Sequence, residues 1–120
     1  MPIHHRQLGA QLTATERIFR PIADGATRSA AFENVVIEGA VIPWHQHAHE
    51  ELIVCLEGRA ECTFAGSPPE LYTAGSVVVI PPSTRHTITN VGPGELRQLS
   101  FFSGPEPGTV WDADSGSVER

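Results

Sequence analysis

Lysine is absent from this chain; its eight basic side chains are all arginine, at positions 6, 17, 20, 28, 59, 85, 97 and 120. They are scattered, and against fourteen acidic groups they leave a formal charge of −6. No basic stripe exists to follow a phosphate backbone, so a nucleic-acid partner is not expected. Long apolar runs are missing too. Stretches such as Val77-Val78-Val79-Ile80 are strand-sized and too short to span a bilayer, so no membrane partner is expected. The start, MPIHHRQL, has no apolar core of a secretory signal, and the expected location is the cytoplasm. Cysteine is scarce, with Cys55 and Cys62 alone in a C-x6-C spacing. A disulfide or half of a zinc site is conceivable, but a zinc ribbon wants two close pairs; two reduced, buried thiols are the expectation. Helical signals are also lacking. Ten prolines and eleven glycines punctuate the chain, and no apolar 3.6-residue period persists.

What remains is the pattern of an all-β protein. Apolar residues make up 40% of 120 positions, enough for one hydrophobic core and one domain, 1–120. Short apolar or alternating segments lie between turn residues: Arg17–Pro21, Ser29–Glu38, Ala40–His47, Glu51–Glu57, Arg59–Phe64, Ser76–Ile80, Arg85–Val91 and Glu95–Ser103. Their β-branched content predicts a sandwich or barrel. Glu57-Gly58, between LIVCL and RAECTF, reads as the tight turn of a hairpin. In that hairpin Cys55 would face Ala60 and Ile53 would face Cys62, putting both thiols on the interior face with Glu51. The segment 104–120 reads as a loop-like arm or flexible tail, in which Val110 and Trp111 either tuck against the barrel or move with the tail.

One stretch is chemically dense. PWHQHAHEE, residues 43–51, holds three of the six histidines and two carboxylates. Strand parity puts His45 and His47 on one face. Wider spacing adds to this. Gly39, His45, His47, Glu51 and Gly58 form G-x5-H-x-H-x3-E-x6-G, and Gly75, Pro81, Ser83, His86 and Asn90 form G-x5-P-x-S-x2-H-x3-N.

In these two motifs the sequence resembles the cupin family; the one departure is Ser83, where the family usually carries glycine. The motif core covers 39–90, and the flanking segments fit a single-domain member. The resemblance implies a double-stranded β-helix (jelly-roll) barrel with His45, His47, Glu51 and His86 as ligands of one divalent transition metal. Nitrogen-rich donors with one carboxylate suit Fe, Mn, Ni, Zn, Cu or Co, and leave positions for substrate, water or oxygen. Gly39, Gly58 and Gly75 are expected at positive φ, Pro81-Pro82 would stiffen the loop that delivers His86, and Ser83 would be strained where glycine would not be.

Around that centre, Glu51 and His49 are the candidate proton-moving groups, with His49 placed at the rim and Glu50 in solvent. Ile53, Cys55, Cys62, Phe64 and Ile88 are the expected lining, together with Phe101 or Phe102, of which Phe101 is selected. Gln98 or Arg97 would orient a polar substrate, with Gln98 the choice. Trp44 is expected to face outward, in packing or an oligomer contact. The function implied is a small enzyme acting on an oxygen-chelating organic small-molecule substrate. It would be either a dioxygenase or an isomerase, lyase or cyclase using the metal as a Lewis acid. A non-catalytic ligand-binding or sensor barrel is the alternative, and a storage role fits less well with a full ligand set. A homodimer is expected by resemblance, and would cover the outward row Leu52, Val54 and Leu56.

Overall fold

The computed structural model describes residues 3–4, 16–22 and 26–112. Within them the chain forms β1 (Arg17–Pro21), β2 (Ala30–Val36), β3 (Val41–His47), β4 (Glu51–Glu57), β5 (Arg59–Phe64), β6 (Glu70–Thr73), β7 (Val77–Ile80), β8 (His86–Asn90), β9 (Leu96–Phe102) and β10 (Thr109–Trp111). They pair in two five-stranded antiparallel sheets, ordered β1-β2-β9-β4-β7 and β10-β3-β8-β5-β6. No described helix is long and apolar enough to cross a membrane.

The inner faces follow from alternation. Along β4, Glu51, Ile53 and Cys55 are buried; along β8, His86, Ile88 and Asn90; along β9, Leu96, Gln98, Ser100 and Phe102. Two short strands, β6 and β10, escaped the sequence reading. β10 lies in the first part of the expected arm, where Trp111 is half-buried against the barrel and Val110 is exposed. The remainder of the expected arm, 113–120, lies outside the described residues.

The expected β4–β5 hairpin is not formed. β4 pairs with β7 and β9, whereas β5 pairs with β6 and β8 in the opposite sheet. Glu57-Gly58 is therefore a corner that carries the chain from one sheet to the other. Gly58 has φ +97°, and a Cβ there would come within 2.5 Å of the Glu95 carbonyl oxygen. Only glycine fits that turn and that approach. The interior placement of Cys55 and Cys62 survives the correction, because parity within each strand does not depend on which strand it pairs with.

The barrel has two unlike ends. The far end is apolar: Val36, Ile42, Ile53, Cys55, Ala60 and Leu96 belong to one buried cluster. Each fully buried aliphatic side chain there contributes about 1.5–3 kcal/mol. Asn90 closes this end. Its amide donates to the Val36 and Gly94 carbonyls, 2.9 Å each, and its Oδ1 accepts from Gly92 N at 2.8 Å. The buried Tyr72 hydroxyl donates to Gln98 Oε1 at 2.8 Å, and burial holds that phenol well above its usual pKa. The near end holds the histidines.

Both cysteines are free and buried. Burial raises the Cys55 thiol, and burial aided by the Glu51 and Glu70 carboxylates pushes Cys62 up to about 12. At pH 8 neither is therefore a thiolate in the folded protein, and reactivity appears only as pH climbs toward the raised values. The native protein should resist Ellman's reagent at pH 8 and release colour from both thiols in denaturant. Rapid labelling of either thiol in the native state would contradict the burial described.

Candidate metal centre

The ligand-bearing part of β3 depends on an irregularity. Ile42 and His45 both point inward, although three residues apart in a regular strand they would face opposite sides. A β-bulge at Pro43-Trp44 shifts the register between Ile42↔Ile88 and His45↔His86. Proline suits a bulge, since it has no N–H to give to the ladder. The freed Ile42 carbonyl accepts from Thr87 Oγ1 at 2.7 Å. The Pro43 carbonyl lies 2.7 Å from His45 Nδ1. The same kink thus turns His45 inward and fixes its ring.

His86 is held in the same way, with Nδ1 2.7 Å from the Thr84 carbonyl oxygen. A carbonyl only accepts, so both rings carry their proton on Nδ1 and present Nε2 with its lone pair. His47 Nδ1 lies 2.9 Å from Thr109 Oγ1 on β10. Candidate ligand atoms of His45, His47 and His86 lie within 4.8 Å of one another, and all three residues are buried. Glu51 arrives from β4: its Oε1 is 3.2 Å from His47 Nε2 and 3.8 Å from His86 Nε2.

Three imidazoles locked through Nδ1 and one buried carboxylate make a donor set of unit negative charge, suited to a divalent transition ion. Donors about 2.0–2.2 Å from a shared centre stand roughly 3–4 Å apart, so little contraction is needed. The residues present fit a metal.

The loop before β8 is fastened to the ligand strand, with Ser83 N donating to the His47 carbonyl at 2.7 Å. Ser83 has φ +56°, the left-handed conformation for which glycine is better adapted. Gly39 and Gly75 also take positive φ, at +82° and +93°.

The turn between β3 and β4 is clamped by the segment before β10. Ala48 N donates to the Pro107 and Gly108 carbonyls, and Ser103 N to that of Glu50. His49 is half-buried in this corner and Glu50 is exposed. The His49 ring lies flush on Gly104, where any Cβ would collide with the imidazole. Trp44 is half-buried with the Arg85 guanidinium 4.5 Å from its ring centre, and Arg85 pairs with Asp112, holding that carboxyl below its ordinary pKa.

The expected lining divides by depth. At the ligand layer, Phe64 pairs with His86 across β5–β8, and Ile80 and Phe102 flank Glu51. Ile53, Ile88 and Cys62 lie one layer beneath. Cys55 and Gln98 pair with each other four residues below Glu51 and Phe102, about 13 Å along the strand. They belong to the floor and not to the wall of the site, and Gln98 Oε1 already accepts from Tyr72. Arg97 faces outward toward Glu33 and Glu57. Phe101 is a second correction: it is exposed, on the outer face beside Leu52. Phe102 is the interior residue, with its ring 4.7 Å from His47. Three neighbours were not expected at the site. Thr109 holds His47, Trp111 lies 4.6 Å from the His45 ring, and Arg17 is fully buried beside Trp111. The parity of RIFRP, with Arg17 and Phe19 on one face, was a signal for the last.

The architecture is that of a small jelly roll with three histidines placed for metal binding at one end. The chain belongs to the cupin family: the family model described as "Cupin domain" matches residues 33–102. Over 94 residues the chain is 34% identical to germin-like protein 8-14 of Oryza sativa subsp. japonica, covering 73% of this chain and 44% of that protein. The chain thus spans less than half of that relative's length. Its fold is similar to the crystal structure of a cupin-like protein from Thermotoga maritima, with TM-score 0.73 and 21% identity over 82% of this chain and 77% of the other. It is also similar to Lactobacillus farciminis oxalate decarboxylase in a formate complex, with TM-score 0.72 and 21% identity over 92% of this chain and 33% of that one. These likenesses show a double-stranded β-helix.

Proposed function

We propose that the chain is a small metal-dependent enzyme. One divalent transition ion would be held by His45, His47, Glu51 and His86, and the substrate would be an organic molecule that chelates through oxygen. The observation that carries this reading is the orientation of the rings. His45 and His86 donate Nδ1–H to the Pro43 and Thr84 carbonyls, which leaves Nε2 as the lone-pair atom of each; the three histidines gather at one point, and the Nε2 atoms of His47 and His86 lie 3.2 and 3.8 Å from the Glu51 carboxylate. A satisfied polar core would not need three imidazoles gathered around one carboxylate at the same end of the barrel.

The bound ion would supply a Lewis acid for isomerase, lyase or cyclase chemistry, or a redox centre where substrate meets O₂ in a dioxygenase. The chain's own residues do the rest. Phe64, Ile80 and Phe102 exclude water from the ligand layer, and the apolar floor closes the far end. His49, half-buried at the corner between His47 and Glu51, would exchange protons between the site and solvent. The free thiols Cys55 and Cys62 suit a reducing compartment, which supports a cytoplasmic location.

A homodimer is part of the same proposal. Leu52, Leu56, Val77, Val79 and Phe101 are exposed on the outer face of the β9-β4-β7 region, an apolar surface suited to a second copy. Light scattering should give a dimer mass that Val79→Glu reduces to a monomer; a monomeric wild-type protein would refute it.

The metal reading has a direct check in elemental analysis of protein purified without a nickel column. His45→Ala and His86→Ala should each lower metal affinity by at least roughly tenfold, while His49→Ala stays near wild type. Equal losses in all three variants would overturn the ligand assignment. Oxygen uptake with the loaded protein then separates dioxygenase from Lewis-acid chemistry.

A further inference from the structure

The two sheets have free edges at β6 and β7, and there no ladder of hydrogen bonds closes the barrel wall. β6 pairs with β5 alone and β7 with β4 alone. The turn 73–76 joins the two strands toward the far end. It is tied to β4, since Gly75 N donates to the Cys55 carbonyl at 2.8 Å and Cys55 N donates to that of Ser76 at 3.0 Å. Beyond the turn a cavity of about 250 Å³ lies between the two edges. Cys62 and Phe64 of β5, Tyr72 of β6 and Val78 of β7 line its inner part. The Phe64 ring also lies 6.3 Å from that of His86, so one phenyl group borders both the cavity and a metal-ligand candidate.

Glu70 sets the chemistry of the opening. It pairs with Cys62 across β5–β6, which puts its side chain on the inner face of the sheet with Cys62 and Tyr72. It is nevertheless exposed, because no strand lies beyond β6 and the cavity opens beside it. Arginine ion pairs among the described residues go to Glu33, Glu57 and Asp112, and none goes to Glu70. An inward carboxylate at a sheet edge also deters pairing with another strand, but that role does not call for an apolar hollow behind it. Leu71, Val77 and Val79 add exposed aliphatic surface around the same opening. Apolar walls with two aromatic rings, and a carboxylate at the mouth without a basic partner, complement a flat apolar body that carries a cation. A benzene ring fills roughly 150 Å³ of cavity, which leaves room for a short chain reaching Glu70.

We propose that the cleft between β6 and β7 binds a small aromatic amine, its ring among Phe64, Tyr72 and Val78 and its ammonium group on Glu70. The site is separate from the four candidate metal ligands and does not rest on the metal reading. Its mouth is bounded by Glu70 and Leu71 of the other sheet, beside the face assigned above to a second copy.

The test is titration of the ¹⁵N-labelled, metal-free chain with phenethylamine, 2-phenylethanol and 3-phenylpropionate, followed through the amide shifts. Phenethylamine should move amides at 62–64, 70–72 and 77–79. At low salt it should bind about threefold more tightly than the alcohol, the effect of one exposed ion pair, and the propionate should bind more weakly than either. Glu70→Gln should erase the difference between amine and alcohol, and Glu70→Lys should place the propionate first. Cys62→Phe, which fills the cavity, should abolish binding of all three. Should that variant not fold, the two changes at the exposed Glu70 still decide the matter. Adding one equivalent of Zn(II) should leave the amine affinity unchanged, and the metal-free titration stands whether or not zinc is taken up. Shifts that centre on His45, His47 and His86 and vanish with zinc would put the amine in the metal centre and overturn the cleft. An unchanged order of affinity in Glu70→Lys, or no shifts with any probe up to about 10 mM, would overturn it as well.

Discussion

The buried carboxylate of Glu51, set between the Nε2 atoms of His47 and His86, is the feature on which the near end of the barrel depends. A carboxylate and three imidazoles removed from water together cost several kcal/mol unless each is met by partners. The surrounding structure meets that cost locally. Two imidazoles are tied through Nδ1 to carbonyls two residues earlier in the chain, and the third to Thr109 from β10. The two carbonyl ties fix a tautomer as well as an orientation, and the Thr109 hydroxyl orients the third ring, so a metal would enter the donor set without a large rearrangement.

That local design constrains the chain at a distance. The bulge at Pro43-Trp44 is needed to turn His45 inward, and Thr87 on β8 satisfies the carbonyl it exposes. The Ser83 loop is tied to the His47 carbonyl, so the segment delivering His86 is referenced to the strand that carries the other two histidines. The run from Ser103 to Trp111 then clamps the corner between His47 and Glu51, through backbone bonds and the flush contact of His49 with Gly104. Candidate ligands from three strands are in this way indexed to one another through backbone atoms.

The residues that act through local spacing were readable in the sequence. His45, His47, Glu51 and His86 were named from their motif, and Gly39, Gly58 and Gly75 do take the positive φ expected. Ser83, which stands where the family carries glycine, bears the left-handed strain. What depends on tertiary partners was not readable. Glu57-Gly58 signals a sharp turn, but a turn does not say whether the next strand pairs or crosses to the other sheet. Gln98, named over Arg97 as a substrate-orienting residue, is the inward one of the two, but alternation is silent on depth, and Cys55 and Gln98 lie about 13 Å below the layer they were expected to line. Between Phe101 and Phe102 a shift of one residue reverses the face, and the exposed one was selected. β6 and β10 are too short for a periodic signal. The parity of RIFRP hints that Arg17 faces inward, but its meeting with Trp111 between two edge strands depends on tertiary packing that no local pattern reveals.

The account requires that three neutral imidazoles bind through Nε2 with their Nδ1 protons retained. Proton NMR of the Co(II)-substituted protein reads this directly, since Nδ1–H protons of ligating histidines appear as hyperfine-shifted resonances that vanish in heavy water. Three such exchangeable signals are predicted, one each from His45, His47 and His86. Fewer than three in protein that has taken up one equivalent of cobalt, or no shifted signals at all, would contradict the site described here.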